Sequence, residues 1–353
     1  MKLIDSHVHL WDPINTPREV SFLNKVLGFN PKLLDKVATW IFPKSAIEFF
    51  GSPQYITRPY LLSDYSMDCD RYNVEGIVHV EAGWKGKGRL GPVGETRWLV
   101  GVNSISSPKI LASIVNANLE QGSNVESILK AHLNASNLVR GVRETLTWQA
   151  NKRILNGGNR SNLINDTEWR KGFEVLSKFD LSFEATIYDN QIDDLSKLAR
   201  TYSKTNIMLS HLGTPISAAG EFGGFGKTKS DRDEIIKSWE DKILKLAENK
   251  NVFVKLSGLA MPICGFGWHN NKQTPSAEQV ANSFSPFINH AIKAFGVDRC
   301  LFGSNYPIDK VSLPLTTLIN AFELILTEMT DDNRQKIFYQ NALKFYKIAP
   351  EST

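Results

Sequence analysis

The stretch KLIDSHVHLWDP, Lys2–Pro13, opens the chain with a short apolar run that ends in two histidines, His7 and His9. In a β-strand, residues two apart point to the same face. Both imidazoles would therefore emerge together at the carboxyl end of a first strand, Leu3–His9. Such a pair suits a metal ion, or an electropositive pocket for an anion or a carbonyl group. Two unrelated surface histidines are the alternative, and the rest of the chain decides between these interpretations.

Seven further runs of strand-forming residues follow, and helical patterns separate them. Most of the runs are almost continuously apolar, as expected of parallel strands that are covered on both faces. With Leu3–His9, the predicted strands are Gly76–Glu81, Ile110–Val115, Val139–Arg143, Leu181–Tyr188, Asn206–His211, Val252–Ser257 and Cys300–Ser304. The clearest helical patterns are Ile192–Lys204, Glu234–Asn249 and Ser285–Gly296. Eight strands alternating with helices predict an α/β fold of the (β/α)8 type, a TIM barrel.

An open, doubly wound sheet is the other architecture that this alternation permits. That fold usually carries a Gly-rich dinucleotide turn after its first strand, whereas the turn here, HVHLWDP, cannot cradle a pyrophosphate. The long irregular segment Trp11–Leu62 is rich in proline and aromatic residues. We interpret it as an insertion after strand 1 that lies over the barrel mouth. The expected organisation is one domain, residues 1–353, with residues 11–62 as its cap.

The composition excludes several classes of protein. Of the 353 residues, 42% are hydrophobic and 22% are charged, which is ordinary for a globular domain. The net charge of +4 is small and dispersed, so no nucleic-acid partner is expected. No apolar run is long enough to span a membrane, and no signal peptide is expected. The three cysteines form no CxxC pair, which favours a reducing, cytoplasmic location. The oligomeric state is not determined by the sequence.

Polar side chains gather at the carboxyl ends of the predicted strands, where barrel enzymes carry their active sites. Five of the seven histidines fall at or near this face. Desolvating so many ionisable groups is costly, so a functional site explains them better than chance does. The residues concerned are His7, His9, His79, Glu81, Arg143, Asp189, His211, Asn305 and Asp309, with Trp268 and His269 in the loop after strand 7. For Glu184 and Lys255, inside the barrel, a buried structural ion pair is an equal alternative.

Six motifs together resemble the amidohydrolase-related family: HVH on strand 1, GVR on strand 4, SHLGTP on strand 6, VKLSGL on strand 7, GSNYP on strand 8 and the closing QNALKFYKI. This branch of the amidohydrolase superfamily contains sugar and pyrone lactonases and aminocarboxymuconate-semialdehyde decarboxylase. The resemblance covers nearly the whole chain and implies a (β/α)8 barrel. It also implies that His7 and His9 bind a divalent metal, as in the metal-dependent members, or bind substrate together with Arg143 and without metal, as in the lactonases.

Two positions depart from the family pattern. The metal-dependent members carry a catalytic Asp just after strand 8, where this chain has Asn305, whose amide does not titrate near neutrality. A subgroup of relatives shares the Asn, and Tyr306–Asp309 matches its continuation. Relatives often carry a His after strand 5, where this chain reads YDNQ at 188–191. No binuclear site is therefore expected. A metal-free site remains open, and so does a single ion, zinc first, on His7, His9, Asp189 and His211.

These observations predict a hydrolase for a small, polar, anionic carbonyl substrate, a lactone first of all. His7 and His9 would polarise the carbonyl, directly or through a metal, and His211 would orient or deprotonate water. Asp309 either replaces the missing base or caps the following helix. The remaining predicted roles are water positioning by Asn305, a grip on substrate oxygens by Arg143, and substrate contacts from His79, Glu81, Trp268 and His269. A metal-dependent non-oxidative decarboxylase and a ligand-binding barrel without catalysis are the alternatives.

Overall fold

A computed structural model describes residues 2–105 and 108–349. Eight parallel strands follow one another in chain order around a single sheet. They are β1 (Leu3–Val8), β2 (Val74–Val80), β3 (Lys109–Asn116), β4 (Val139–Thr145), β5 (Ser182–Thr186), β6 (Ile207–Leu209), β7 (Val252–Leu256) and β8 (Cys300–Phe302). The segment after β8 returns to β1, because His9 N donates to Tyr306 O at 2.7 Å and Asn305 N donates to His7 O at 2.9 Å. The predicted (β/α)8 TIM barrel is confirmed.

Helices connect the strands and cover the outside of the barrel. In chain order they are α1 (Ser21–Leu27), α2 (Pro31–Ile41), α3 (Lys44–Phe50), α4 (Gln54–Thr57), α5 (Leu62–Cys69), α6 (Val93–Ile105), α7 (Glu126–Ala135), α8 (Thr167–Lys178), α9 (Ile192–Thr201), α10 (Lys229–Ala247), α11 (Ala277–Phe295), α12 (Leu315–Ile325), α13 (Asp331–Gln335) and α14 (Asn341–Phe345). α9 buries Ile192, Leu195 and Leu198, which its helical spacing places on one side. Within the described ranges, no helix has the length and apolar character needed to cross a membrane.

Element ends differ from the predicted bounds where the backbone turns or a cap lies further out. β8 stops at Phe302 instead of Ser304, and Asn305 then takes a left-handed conformation with φ 59°. α11 begins at Ala277, well before the predicted start at Ser285. Its cap is Ser276, whose side chain accepts a hydrogen bond from the first turn. The start of α11 is therefore set by the N-cap serine, a residue type that is strongly preferred at this position.

The segment between β1 and β2 carries α1 to α5 before the chain re-enters the barrel. Its two ends are joined, because Trp11 N donates to Tyr60 O at 3.0 Å and Tyr60 N donates to Trp11 O at 2.8 Å. The indole Nε1 of Trp11 also donates to Arg58 O at 2.8 Å. These bonds hold α1 to α4 beside the end of β1. The division into one domain over residues 1–353 with a cap at 11–62 stays a prediction, since Met1, residues 106–107 and residues 350–353 lie outside the described residues.

Candidate active site

The histidine pair of the first strand lies at the centre of the barrel, where β1 ends. His7 and His9 are buried, and their Nε2 atoms are 3.2 Å apart. Burial lowers the pKa of His9 to about 3 and that of His7 well below its usual value. Both rings are therefore neutral at physiological pH, and each has one nitrogen with a proton and one without.

Neighbouring groups fix which nitrogens carry these protons. Lys255 Nζ lies 3.2 Å from His7 Nδ1 and 2.6 Å from Glu184 Oε2. An ammonium group only donates, so His7 Nδ1 accepts, and His7 Nε2 carries the proton that it donates to His9 Nε2. His9 Nδ1 then donates to Val80 O at 2.8 Å. The chain of hydrogen bonds from Lys255 to Val80 has a single direction.

The ion pair beneath the histidines is fully enclosed. Lys255 and Glu184 are both 0% exposed, and Tyr346 OH donates to the second carboxylate oxygen of Glu184 at 2.6 Å. Burial lowers the pKa of Lys255 to about 8, opposed by the attraction of Glu184, so the ammonium form predominates at neutral pH. The pair is thus a structural ion pair that also sets the proton positions of His7 and His9.

His211 reaches the same region from the turn after β6. Its ring centroid lies 4.4 Å from that of His7, and its Nδ1 lies 2.9 Å from Ser257 Oγ. His211 and Leu212 have positive φ values of 54° and 56°, a conformation that costs about 1–3 kcal/mol per residue and concentrates at functional sites. Gly258 passes so close that a Cβ there would lie 2.5 Å from His211 Cγ. The ring is therefore held tightly, and burial lowers its pKa well below 6.5.

Arg143 and Glu81, from β4 and the end of β2, form an ion pair in which two guanidinium nitrogens share one carboxylate oxygen. Arg143 Nε and Nη2 lie 2.8 and 2.6 Å from Glu81 Oε1, and Nη2 also donates to the backbone O of Glu81 at 2.7 Å. Burial opposes the charge on Glu81, but Arg143 and the N–H of Gly83 outweigh it and lower the pKa of the carboxyl. In the described part of the chain, Arg143 Nη1 makes no hydrogen bond to another residue.

Asn305 and Asp309 lie one behind the other. Asn305 Nδ2 donates to Asp309 Oδ1 at 2.7 Å, and Ala260 N donates to Asp309 Oδ2 at 3.3 Å. Asp309 is 1% exposed and has no cationic partner among the residues that the structure describes, and burial raises its pKa to about 8. Its carboxyl holds the amide of Asn305 in one orientation. The predicted role of Asp309 as a base stays a prediction that this placement does not favour, and the residue does not cap a long helix.

One cavity of about 500 Å³ joins these groups. Its polar lining includes His9, Glu81, Arg143, His211 and Asn305, whereas His7 lies beneath His9, out of contact with the cavity. A large apolar share of the lining comes from the insertion, which the sequence reasoning did not anticipate in detail. These apolar residues are Trp11, Val20, Phe42, Ala46, Ile47, Phe49, Phe50 and Ile56. The i, i+1, i+3, i+4 spacing of the four residues in α3 is a signal that could have found them.

Besides His7 and Asp309, four predicted site residues do not line this cavity. His79 is fully buried one layer below Glu81, because two residues of a strand advance about 7 Å, and Leu10 N approaches its Nδ1 at 3.3 Å. Asp189 points away beside the cavity-lining Tyr188, and Ile216 N lies 3.5 Å from its Oδ1.

The loop after strand 7 supplies the other two of these residues. Trp268 stacks on Phe266 with 4.8 Å between the ring centroids, and it packs on Phe284 of α11. This stacking engages the ring of Trp268, and the adjacent His269 packs at the end of α3, where a Cβ on Gly51 would lie 3.5 Å from its Cβ. The substrate contacts of His79, Trp268 and His269, and metal binding by Asp189, stay predictions that the geometry does not favour.

The donor set was compared with the needs of a metal ion. A structural or catalytic zinc takes three or four protein donors, yet across residues 2–105 and 108–349 no group of three or more His, Cys, Asp or Glu is placed to hold an ion. His7 Nε2 carries a proton and donates it to His9, so it has no lone pair for a metal while Lys255 holds its Nδ1. The residues present, including the predicted set His7, His9, Asp189 and His211, do not fit a metal ion in this arrangement.

The sequence is similar to that of known proteins of one family. Residues 130–348 match the family model described as amidohydrolase. An uncharacterised protein, y4mH, of Sinorhizobium fredii is 29% identical over 98% of both chains. L-fucono-1,5-lactonase of Burkholderia multivorans is 24% identical over 48% of this chain and 49% of its own.

Solved structures share the fold at low sequence identity. An amidohydrolase from Burkholderia multivorans, solved with HEPES bound, has a TM-score of 0.71 at 19% identity, covering 99% of this chain and 100% of that one. A second structure described in the same way holds zinc and has a TM-score of 0.70 at 18% identity, with the same coverage. A proposed 2-pyrone-4,6-dicarboxylic acid hydrolase from Pseudomonas putida has a TM-score of 0.62 at 17% identity over 99% of this chain and 98% of its own.

Proposed function

This chain belongs to the amidohydrolase family, and we propose that it is a lactonase, a hydrolase that opens a cyclic ester with water. The observation that carries the proposal is the convergence of His211, Arg143 and Asn305 on one cavity at the carboxyl ends of the strands. Relatives and fold neighbours that act on lactones and pyrones support it further. The resident zinc of a fold neighbour is not carried over, because the donor set here does not fit a metal ion.

His211 is the proposed general base. Its Nδ1 can donate to Ser257 Oγ, which leaves the Nε2 lone pair free to take a proton from water. Burial keeps the ring neutral, the form that accepts a proton. Because its pKa is low, His211 is a weak base and, once protonated, a strong acid. Protonated His211 can then return its proton to the alkoxide that leaves when an ester is opened.

Arg143 and Asn305 have complementary proposed roles. Arg143 Nη1, free of the pair with Glu81, donates to the carbonyl oxygen and stabilises the negative charge that develops there. The Nδ2 of Asn305 is held by Asp309, so its Oδ1 is the end available to accept a hydrogen bond from the attacking water. His9 has both nitrogens engaged and bounds the cavity without polarising the carbonyl. The polarising role predicted for His7 and His9 is not part of this mechanism.

The test is hydrolysis of simple lactones by the purified full chain, followed by release of acid. His211→Asn should lower kcat by about 10²–10⁴-fold, with an unchanged melting temperature. His290→Asn is the matched control, since His290 lies on α11 against Glu240 O, far along the chain from the site. If the wild-type protein opens no lactone but binds one, the ligand-binding barrel replaces the lactonase. If His211→Asn keeps full activity, the assignment of the base is wrong.

A further inference from the structure

The wall of the cavity, formed by α3 and the apolar residues around it, differs in chemistry from the floor, formed by the polar residues at the strand ends, His9, Glu81, Arg143, His211 and Asn305. α3 has no fully buried side chain, yet four of its residues, Ala46, Ile47, Phe49 and Phe50, line the cavity. Further apolar lining comes from Val20, Phe42, Ile56, Leu155, Met261 and Ile308. Each square ångström of this surface that a ligand covers is worth about 25 cal/mol. The wall therefore favours an apolar group on the ligand.

The charges in the lining are paired within the protein. Arg143 pairs with Glu81 at 2.6 Å, and Lys85 pairs with Glu19 at 3.0 Å. Arg18 Nη2 lies 2.9 Å from Glu95 Oε1, a close ion-pair contact without hydrogen-bond geometry.

Each charged residue of the lining has a partner of opposite sign, and a substrate carboxylate at the free Nη1 of Arg143 would have to share that guanidinium with Glu81. Displacing Glu81 from Arg143 would leave one buried carboxylate unpaired, which is costly. The pairing of these charges therefore favours an uncharged substrate over the anionic one expected from the sequence.

We propose that the substrate is an uncharged lactone with an aromatic or alkyl substituent, whose carbonyl faces Arg143 and whose apolar part lies against α3. This inference rests on the proposed lactonase function. Water adds its oxygen to the carbonyl carbon and gives a proton to His211. The ring C–O bond then breaks, and the alkoxide takes that proton, so the product is a hydroxy acid and no other reactant is needed. The new carboxylate is poorly matched to the cavity, which favours product release.

The first experiment compares substrates. Dihydrocoumarin, an uncharged lactone fused to an aromatic ring, should have a kcat/KM at least tenfold above those of L-fucono-1,5-lactone and 2-pyrone-4,6-dicarboxylate. The assay is run at about pH 7.5, between the pKa of about 7 for Glu95 and the pKa of about 8 for Lys255, so that the carboxylate that pairs with Arg18 and the ammonium group both stay mostly ionised. Higher kcat/KM for the polyhydroxylated or the dianionic lactone would overturn the substrate class while leaving the lactonase function standing. Failure with every lactone, including unsubstituted δ-valerolactone, would instead overturn the proposed function.

The second experiment tests the wall directly. Phe50→Ala should raise KM for dihydrocoumarin about tenfold, because it removes an aromatic surface that the substituent covers. It should leave kcat/KM for δ-valerolactone within about twofold, since that ring carries no substituent. Phe29→Ala, in the same insertion but 81% exposed, is the control. An equal loss of kcat/KM on both substrates would mean that the substitution disturbs folding or the polar residues of the floor. The proposed position of the apolar group against α3 would then be wrong.

Discussion

The floor and the wall of the cavity are built in different ways. Floor residues such as Arg143 and His211 lie at strand ends, are well buried, and are fixed by hydrogen bonds to groups on other strands. Wall residues such as Phe49 and Phe50 lie on a seven-residue helix whose N-terminal residue makes no side-chain cap. The sheet therefore holds the reacting groups rigidly, whereas a short inserted helix shapes the space above them. In this molecule, chemistry and selectivity can be changed separately, and the predictions below test that separation.

The largest effect is expected from the floor. Arg143→Lys should lower kcat/KM by about 10²–10³-fold, because it removes the free guanidinium nitrogen proposed to stabilise the oxyanion. Arg140→Lys, on the same strand but bonded to Asn137 O on the outer surface, is the control. Steady-state kinetics on one lactone measure both variants. Similar losses in the two would show that the barrel strand, and not the cavity floor, is what the substitution damages.

The next effect concerns Glu144, the neighbour of Arg143, which faces the helix layer instead of the cavity. Leu119 N donates to it at 2.8 Å and Trp169 Nε1 also donates, while burial raises the pKa of the carboxyl to about 7. A folded-state pKa above the usual 4.5 means that the stabilisation is complete below about pH 4.5 and is lost as pH rises through 7. This loss amounts to about 3 kcal/mol.

Denaturant unfolding at about pH 4.5 and pH 8.5 measures this effect. In Glu144→Gln the fall in unfolding free energy should be smaller by about that amount, with kcat unchanged at pH 7. Glu126→Gln, a substitution at an exposed position, is the control and should reproduce the wild-type difference. If the unfolding free energy of Glu144→Gln falls as much as that of the wild type, the raised pKa of Glu144 is not the cause of the fall. A loss of kcat in this variant would mean that the outer face of β4 also contributes to catalysis.

A slightly smaller effect is expected where the backbone approaches the base. Gly258→Ala would place a Cβ only 2.5 Å from His211 Cγ, which is too close for two carbon atoms, so the ring must move. Misplacing a reacting group by about 1 Å costs up to about a hundredfold in rate. Gly267→Ala is a matched control, since its φ of +72° is close to the +70° of Gly258 but nothing lies within 4 Å of the new Cβ. If kcat falls equally in both, backbone strain and not the position of His211 is responsible.

Asp309→Asn should cost no more than about tenfold in kcat, because its amide oxygen can still accept from Asn305 Nδ2 and only the bond from Ala260 N is lost. A true base at this position would cost about 10²–10⁴-fold instead. The melting temperature, followed by circular dichroism, should change little, because the substitute keeps the size of the side chain. A loss of a hundredfold or more would return Asp309 to the role of base and would demand that it reach the cavity past Asn305.

The smallest effect is expected from chelation. Dialysis against EDTA should change kcat by less than about twofold, because His7 Nε2 carries a proton and so has no lone pair with which to bind a metal ion. Metal content before and after dialysis is measured alongside activity. Activity that disappears and returns with added zinc would show that Lys255 does not hold His7 in the proposed form, and the metal set of His7, His9, Asp189 and His211 would gain support.

Local pattern in the sequence was enough to predict the barrel and the general position of its site. Continuous apolar runs predicted eight parallel strands, and polar residues at their ends predicted where His9, Arg143, His211 and Asn305 would lie. Both inferences hold because strand periodicity and chain order are local properties that a parallel barrel converts directly into position. The cytoplasmic location and the lack of a nucleic-acid partner stay predictions from composition.

Only the tertiary structure decided how deep each site side chain lies and which groups pair with one another. Periodicity places His79 and Glu81 on one face, but it cannot say that His79 lies a layer below the cavity or that Asn305 lies between Asp309 and the cavity. The pairing of Lys255 with Glu184 and His7 joins groups on three strands far apart in sequence, and it alone fixes the proton on His7. The sequence determined which residues reach the barrel mouth. Their protonation, their order in depth and the pairing of the charges around the cavity depend on contacts across the fold, which no local pattern encodes.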